Sequence, residues 1–329
     1  MTHRLALIGA GRIGRVHAAA IADNPRAHLA LVADVSAAAA AEVAEKFAGT
    51  CGTVAEALGE GIDAVLICSS TATHSELIER ACAAGKPIFC EKPLDLDLAR
   101  ARQCAARVAR SGVPLLMGFN RRFDPHFASL KSQMDRGAVG RVEMVQITSR
   151  DPAPPSAAYI RTSGGLFRDM AIHDFDMARW LLGEEPVEVY ANGSALVDPV
   201  FGECGDIDSA FITLRTAGGR LCAISNSRRA VYGYDQRIEV HGSGGMITAA
   251  NPREDLVQVS DAGGTRLAKL EHFFLERYAA AYRRELGHFL DILDGRASPL
   301  AGVEDGVRAL QLAEAAQASL AESRMVRIA

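Results

Sequence analysis

Aromatic residues are scarce in this chain, at 6% of 329 residues with a single tryptophan, and no run reaches the ~18 consecutive apolar residues that a bilayer span needs. Neither charge is in excess. Lys+Arg total 36 and Asp+Glu 40, a formal net charge of −4. This gives no electrostatic footprint for nucleic acid or an anionic membrane, and neither is expected as a partner. There is no CxxC and no zinc-like cysteine spacing. The seven cysteines are an odd count, and Cys68 and Cys90 lie inside apolar runs. They predict buried, reduced thiols in a cytoplasmic protein rather than disulfides or a cysteine nucleophile. The N-terminal residues enter a glycine turn by Gly9 and show no signal-peptide apolar segment.

The composition that remains is that of a globular protein, with 49% hydrophobic and 23% charged residues. At roughly 150 residues per domain, the length predicts two domains. The first 120 residues alternate short apolar runs (5–8, 29–33, 64–68, 88–90, 115–119) with alanine-rich, charged stretches. Short runs buried on both faces and separated by helices predict a parallel sheet flanked by helices. Beyond Gly118 the pattern changes to strands joined by tight glycine turns, at 143–149, 187–194, 209–216, 220–227, 236–241, 246–249 and 256–260. Helical patterns at 169–182, 273–293 and 303–322 are inserted among them. This predicts an α+β domain with antiparallel pairing. The boundary falls near Asn120, giving domains 1–119 and 120–329.

The first apolar run leads directly into Gly9-Ala10-Gly11-Arg12-Ile13-Gly14, a GxGxxG that opens a helix. Its glycines allow a tight turn, close backbone approach to a pyrophosphate and close helix–strand packing. The helix N-terminus adds N–H groups and a positive dipole end. Asp34 follows 20 residues beyond Gly14, at the end of the second run, where an acid bonds both ribose hydroxyls and repels a 2′-phosphate. The pattern predicts a dinucleotide-binding Rossmann domain that takes NAD in preference to NADP. Arg12, within the loop, tolerates extra negative charge.

Glu91-Lys92-Pro93 follows the fifth predicted strand, where the carboxyl ends of a parallel sheet line a ligand crevice. Lys92 there offers positive charge to a developing alkoxide; the plainer alternative is a solvated loop lysine. In the predicted helix from Asp169, Asp169 and His173 are i,i+4 neighbours and Asp176 lies three residues further on. At 100° per residue the three fall within an arc of about 60°. A carboxylate so placed holds the histidine tautomer and raises its basicity, which suits removal of an alcohol proton. A metal site from the same three residues, or a capping Asp169 beside a core histidine, are the alternatives. No metal is expected.

On these motifs the chain resembles the glucose–fructose oxidoreductase / inositol dehydrogenase / MocA family over essentially its full length. The residues that carry the likeness are the glycine loop with His17, Glu91-Lys92-Pro93, the segment Gly118 to Pro125, Ser149 to Pro152, Gly164-Gly165 through Asp176, and Tyr232 to Asp235. The last four, taken together in this order, point to the inositol dehydrogenase branch. The resemblance implies a Rossmann domain followed by an α+β domain with a large open, mostly antiparallel sheet for substrate binding and oligomerisation. It implies NAD-dependent oxidation of a secondary ring hydroxyl of myo-inositol to the 2-keto product, in inositol catabolism. Lys92, Asp169 and His173 are implied as the catalytic triad. The implied cofactor contacts are Gly9, Gly11, Arg12, Ile13, Gly14, Asp34, Ser69, His74, Glu91 and Lys92. Arg122, Asp151, His173, Tyr234 and Tyr282 are implied around a cyclic polyol. A homotetramer is implied, as is a cis peptide before Pro93. Ser70 stands where many members have proline, and Asp151 where some inositol dehydrogenases have asparagine. The competing readings are a dehydrogenase of another cyclic polyol or aldose, and a non-catalytic NAD-binding regulator.

Overall fold

A computed structural model describes residues 2–328. The chain divides into two compact units, Met1–Phe123 with Ala280–Leu310, and Asp124–Ala279 with Gln311–Ala329. Among the described residues no helix is long and apolar enough to cross a membrane.

The first unit holds six strands: β1 (His3–Ile8), β2 (Ala27–Ala33), β3 (Thr50–Cys51), β4 (Ala64–Ile67), β5 (Ile88–Glu91) and β6 (Leu115–Gly118). They pair in parallel in the order β3-β2-β1-β4-β5-β6. This is the doubly wound order, whose direction reverses between β1 and β4 and opens a crevice at their carboxyl ends. Strands β4, β5 and β6 are buried along their whole length because helices cover both faces. Local chemistry starts and stops those helices. Ser36 accepts the Ala39 N–H ahead of Ala37–Lys46, Asp97 accepts the Arg100 N–H ahead of Leu98–Ser111, and Gly112 ends the latter at φ 68°.

The two-domain division at Asn120 is too simple. Residues 280–310 return to the first unit, where Phe289 sets its ring 6.0 Å from that of Phe89 on β5 and the Ala301 carbonyl accepts the Met117 N–H of β6 at 2.8 Å. Sequence periodicity shows that the helix Ala279–Leu293 has an apolar face. It does not show which sheet that face covers.

The second unit is built on a seven-stranded sheet of β7 (Val142–Arg150), β8 (Pro186–Ser194), β9 (Ser209–Thr216), β10 (Leu221–Ser227), β11 (Asp235–Gly242), β12 (Gly245–Ala249) and, beyond a separate hairpin of β13 (Gln258–Asp261) and β14 (Gly264–Leu267), β15 (Val326–Arg327). The order is β12-β11-β7-β10-β9-β8-β15. Every pair is antiparallel except β7 with β10. Alternation is clean: Val145 and Ile147, Ile212 and Leu214, Cys222 and Ile224 are buried on one face, which the helix Ala171–Leu182 covers. The opposite face exposes Met144, Tyr190, Phe211, Leu221 and Met246.

Two predicted helices are broken. The run 169–182 is a short helix Leu166–Asp169 and a longer Ala171–Leu182, separated by Met170. The run 273–293 is Phe274–Arg277 and Ala279–Leu293, separated by Tyr278. The predicted strand 256–260 is displaced to Gln258–Asp261, where it pairs only with β14.

Candidate active site

The glycine loop has the backbone a dinucleotide cradle requires. Gly9 sits at φ 108°, and a Cβ there would lie 2.5 Å from the Cys68 and Ser69 backbone at the end of β4. A Cβ on Gly14 would lie 2.0 Å from the Gly9 carbonyl oxygen. Gly11, by contrast, faces open space, and no side chain caps the helix Arg12–Ala22 that follows it. Two glycines therefore serve internal packing, while the third leaves room for a ligand at the helix N-terminus. These residues fit a dinucleotide. Arg12 is exposed and Ile13 half-buried beside them. Asp34 accepts the Ala10 N–H and the Ser36 N–H, each at 2.7 Å, so the carboxylate ties the loop to the end of β2.

The next positions along the sheet edge are equally constrained. Ser69 shares a 2.7 Å hydrogen bond with Thr73. His74 is buried, with Nδ1 2.8 Å from the Pro93 carbonyl and Nε2 3.1 Å from the Ser69 carbonyl. The neutral imidazole carries one N–H, so it donates to one of these two carbonyls at a time. Burial lowers its pKa against the opposing pull of these two carbonyls. The Lys92–Pro93 peptide is cis. Lys92 is half-buried, directly after β5. Glu91 is buried; its Oε1 lies 2.7 Å from His17 Nε2 and its Oε2 accepts the Lys92 N–H at 3.2 Å. Tyr282 lies in this first unit, buried, with its ring edge-on to His17 at 5.6 Å. Arg122 is also buried here and donates to the Leu300 carbonyl at 2.6 Å and to Asp305 at 2.8 Å.

In the second unit a different constellation forms. The Asp169 carboxylate accepts the Tyr159 hydroxyl at 2.8 Å on one oxygen and Arg228 Nη2 at 2.7 Å on the other. Arg228 Nη1 donates to Asp151 at 2.8 Å. Burial raises the Tyr159 pKa, and the adjacent Asp169 charge adds to the effect. His173 begins the next helix and is half-buried. The predicted helix is interrupted between the two: Asp169 ends Leu166–Asp169 and His173 lies in Ala171–Leu182, with Met170 at the junction, and Asp169 is oriented by Tyr159 and Arg228. Asp176 is buried and faces Arg179 at 3.9 Å. Tyr234 is buried with its ring edge-on to Tyr278 at 6.0 Å.

Residues 3–119 match the model of an oxidoreductase family with an NAD-binding Rossmann fold, and residues 127–248 match that of the GFO/IDH/MocA C-terminal domain. The chain belongs to the GFO/IDH/MocA family. It is 50% identical over 331 aligned residues to the inositol 2-dehydrogenase of Rhizobium meliloti strain 1021, covering 100% of each chain. Among solved structures it is similar to a myo-inositol dehydrogenase from Corynebacterium glutamicum ATCC 13032, with TM-score 0.95, 42% identity and 100% and 99% of the two chains covered. It is also similar to a scyllo-inositol dehydrogenase from Lactobacillus casei crystallised with NAD(H) and scyllo-inositol, with TM-score 0.92, 29% identity and 99% of each chain covered. As a member of this family the chain is an oxidoreductase, and its Rossmann unit is built for NAD.

Two features of this GFO/IDH/MocA chain escape sequence reading. Tyr159 and Arg228 are separated from Asp169 by 10 and 59 residues, and no spacing rule connects them. The usable signal is topological, because the parallel neighbours β7 and β10 end together and deliver Asp151 and Arg228 side by side. The second feature is Glu285 on the helix Ala279–Leu293. It is fully buried, and neither carboxyl oxygen has a hydrogen-bond partner among the described residues. Burial, and then the Glu91 carboxylate, push its pKa well above the usual range. Such an acid contributes stability that is complete below about pH 4 and is lost as pH rises, at about 1.4 kcal/mol per pH unit until its folded pKa is reached. Glu285→Gln is expected to flatten the fall of unfolding free energy with pH that begins above about pH 4. Urea titrations above that pH test it, and an unchanged slope would show that Glu285 is ionised in the fold.

Proposed function

We propose that this oxidoreductase is an NAD-dependent inositol 2-dehydrogenase that oxidises one secondary ring hydroxyl of myo-inositol to 2-keto-myo-inositol (scyllo-inosose), as a step of inositol catabolism. The observation that carries this reading is the end-to-end 50% identity with an inositol 2-dehydrogenase, in a chain that holds Lys92, Asp169 and His173. NAD, when bound, supplies the hydride acceptor at its nicotinamide ring. His173 accepts the hydroxyl proton, and Lys92 places its ammonium where the alkoxide charge develops. Asp169, held by Tyr159 and Arg228, orients and polarises His173 or Lys92. Gly9, Gly11, Arg12, Ile13 and Gly14 receive the cofactor phosphates and Asp34 the adenosine ribose, with Ser69, His74 and Glu91 shaping the nicotinamide end. Asp34 disfavours a 2′-phosphate, so NAD is preferred over NADP.

Arg122, Asp151, His173, Tyr234 and Tyr282 meet the ring hydroxyls in this proposal. A site built to hydrogen-bond many hydroxyls rejects analogues that lack them, because its own buried groups are then unpaired. A solved relative carrying scyllo-inositol supports a second reading, in which another inositol isomer is the better substrate. The exposed apolar side chains on the open face of the seven-stranded sheet support a homotetramer assembled there. The seven unpaired cysteines support a reducing, cytoplasmic setting.

The test is initial-rate measurement with myo-inositol, scyllo-inositol, D-chiro-inositol, glucose and lactate, each with NAD and with NADP. The highest kcat/KM is expected for myo-inositol with NAD. Glucose or lactate outperforming every inositol would overturn the substrate assignment, and equal use of NADP would show that Arg12 outweighs Asp34.

A further inference from the structure

We propose that Arg228 is a positioning residue that couples substrate recognition to the catalytic carboxylate, by holding Asp151 and Asp169 at a fixed separation on one guanidinium. The inference rests on the reading above, in which Asp169 works in the reaction and Asp151 faces the polyol. The geometry is specific. Each terminal nitrogen of Arg228 serves a different carboxylate, Nη1 to Asp151 at 2.8 Å and Nη2 to Asp169 at 2.7 Å. A planar guanidinium fixes the distance and angle between its two terminal nitrogens, so it fixes the relative placement of what they hold. The second Asp169 oxygen is taken by the Tyr159 hydroxyl at 2.8 Å, which removes the remaining freedom of that carboxylate. The backbone reinforces the link, because the Asp151 N–H donates to the Ser227 carbonyl at 2.9 Å, one residue before Arg228.

Stability alone is a poor account of this arrangement. Arg228 is 5% exposed, and its Nε is buried with no partner among the described residues. A buried cation with an unsatisfied donor is expensive, and buried ion pairs contribute little net stability compared with apolar packing. Burial opposes the Arg228 charge, but Asp169 and Asp151 keep it protonated more firmly than in a free arginine. The cluster then carries one positive charge against two carboxylates. A hydroxyl donated to Asp151 by a bound ring draws on the same guanidinium that orients Asp169. Engagement of the substrate and alignment of the catalytic carboxylate are thereby linked.

Lysine keeps the charge but offers one nitrogen in place of two at fixed spacing. Arg228→Lys is therefore expected to lower kcat at least about tenfold with the best polyol of the panel, with the NAD dissociation constant changed less than about twofold. Asp151→Asn, which leaves Arg228 in place, is expected to lower kcat as well as raise KM. Parent-like kcat in both variants, or an Asp151→Asn effect confined to KM, would overturn the coupling while leaving the function standing. A crystal structure of Arg228→Lys supplies a readout that does not depend on turnover: the Asp151 and Asp169 carboxylates are expected to change their separation, and carboxylates found unmoved would overturn the proposal even if the panel yielded no substrate. Failure of the parent protein to oxidise any polyol would refute the functional reading separately.

Discussion

His173→Ala and Lys92→Ala are each expected to lower kcat for the polyol by about 10²-fold or more, while the NAD dissociation constant stays within a few-fold of the parent value. The proposal assigns the two groups to opposite halves of one charge problem. Oxidation of a carbinol removes a proton from oxygen and a hydride from carbon, and negative charge accumulates on the oxygen between the two events. In the proposed mechanism His173 would take the proton and Lys92 would face the charge with an ammonium. Neither is proposed to hold the adenosine half of the cofactor, which is assigned to the glycine loop and Asp34. Steady-state kinetics with a fluorescence titration of NADH separate the two effects. Turnover within a few-fold of the parent for either variant would remove that residue from the mechanism. A loss confined to NADH binding would make it a cofactor residue instead.

A comparable loss, by a different route, is expected from Gly14→Ala. The added methyl would stand 2.0 Å from the Gly9 carbonyl oxygen, and that oxygen belongs to a backbone at the end of β1 already held between β2, through Gly9 N–H to the Ala33 carbonyl, and β4, through Cys68 N–H to the Ile8 carbonyl. No side-chain rotation relieves the clash, so the helix Arg12–Ala22 must move away from the strand. The expected result is destabilisation of about 1–3 kcal/mol with a marked loss of NADH affinity. Gly11→Ala is the matched control. A Cβ there meets nothing within 4 Å and the residue's φ of −70° suits alanine, so its melting temperature is expected to match the parent's while NADH binding weakens. A thermal melt and an NADH titration of both variants decide the matter. Parent-like affinity in Gly14→Ala, or full affinity in Gly11→Ala, would show that the loop does not carry the cofactor as described.

Most of the elements and the local chemistry are legible in the sequence alone. The apolar runs at 5–8, 64–68 and 88–90 are legible as buried parallel strands because a strand flanked by helices on both faces must be apolar along its whole length. The alternation in 209–216 and 220–227 is legible because a sheet with one covered face buries every second side chain. Glycines 9, 11 and 14 are legible for a similar reason: the turn, the close approach and the helix start all lie within six consecutive residues. Contacts between residues far apart in the chain are set by the folded structure. Arg228 meets Asp151 and Asp169 across separations of 77 and 59 residues. Glu285 lies beside Glu91, and Tyr282 meets His17, because the helix Ala279–Leu293 returns to the first sheet. Periodicity records that a side chain is buried, since burial follows from its own face of its own element. It does not record against what, because the partner is chosen by the folding of the whole chain. The catalytic candidates Lys92, Asp169 and His173 were visible as residue types in suitable local settings, whereas the arginine and tyrosine that hold Asp169 became visible only once β7 and β10 were paired in parallel.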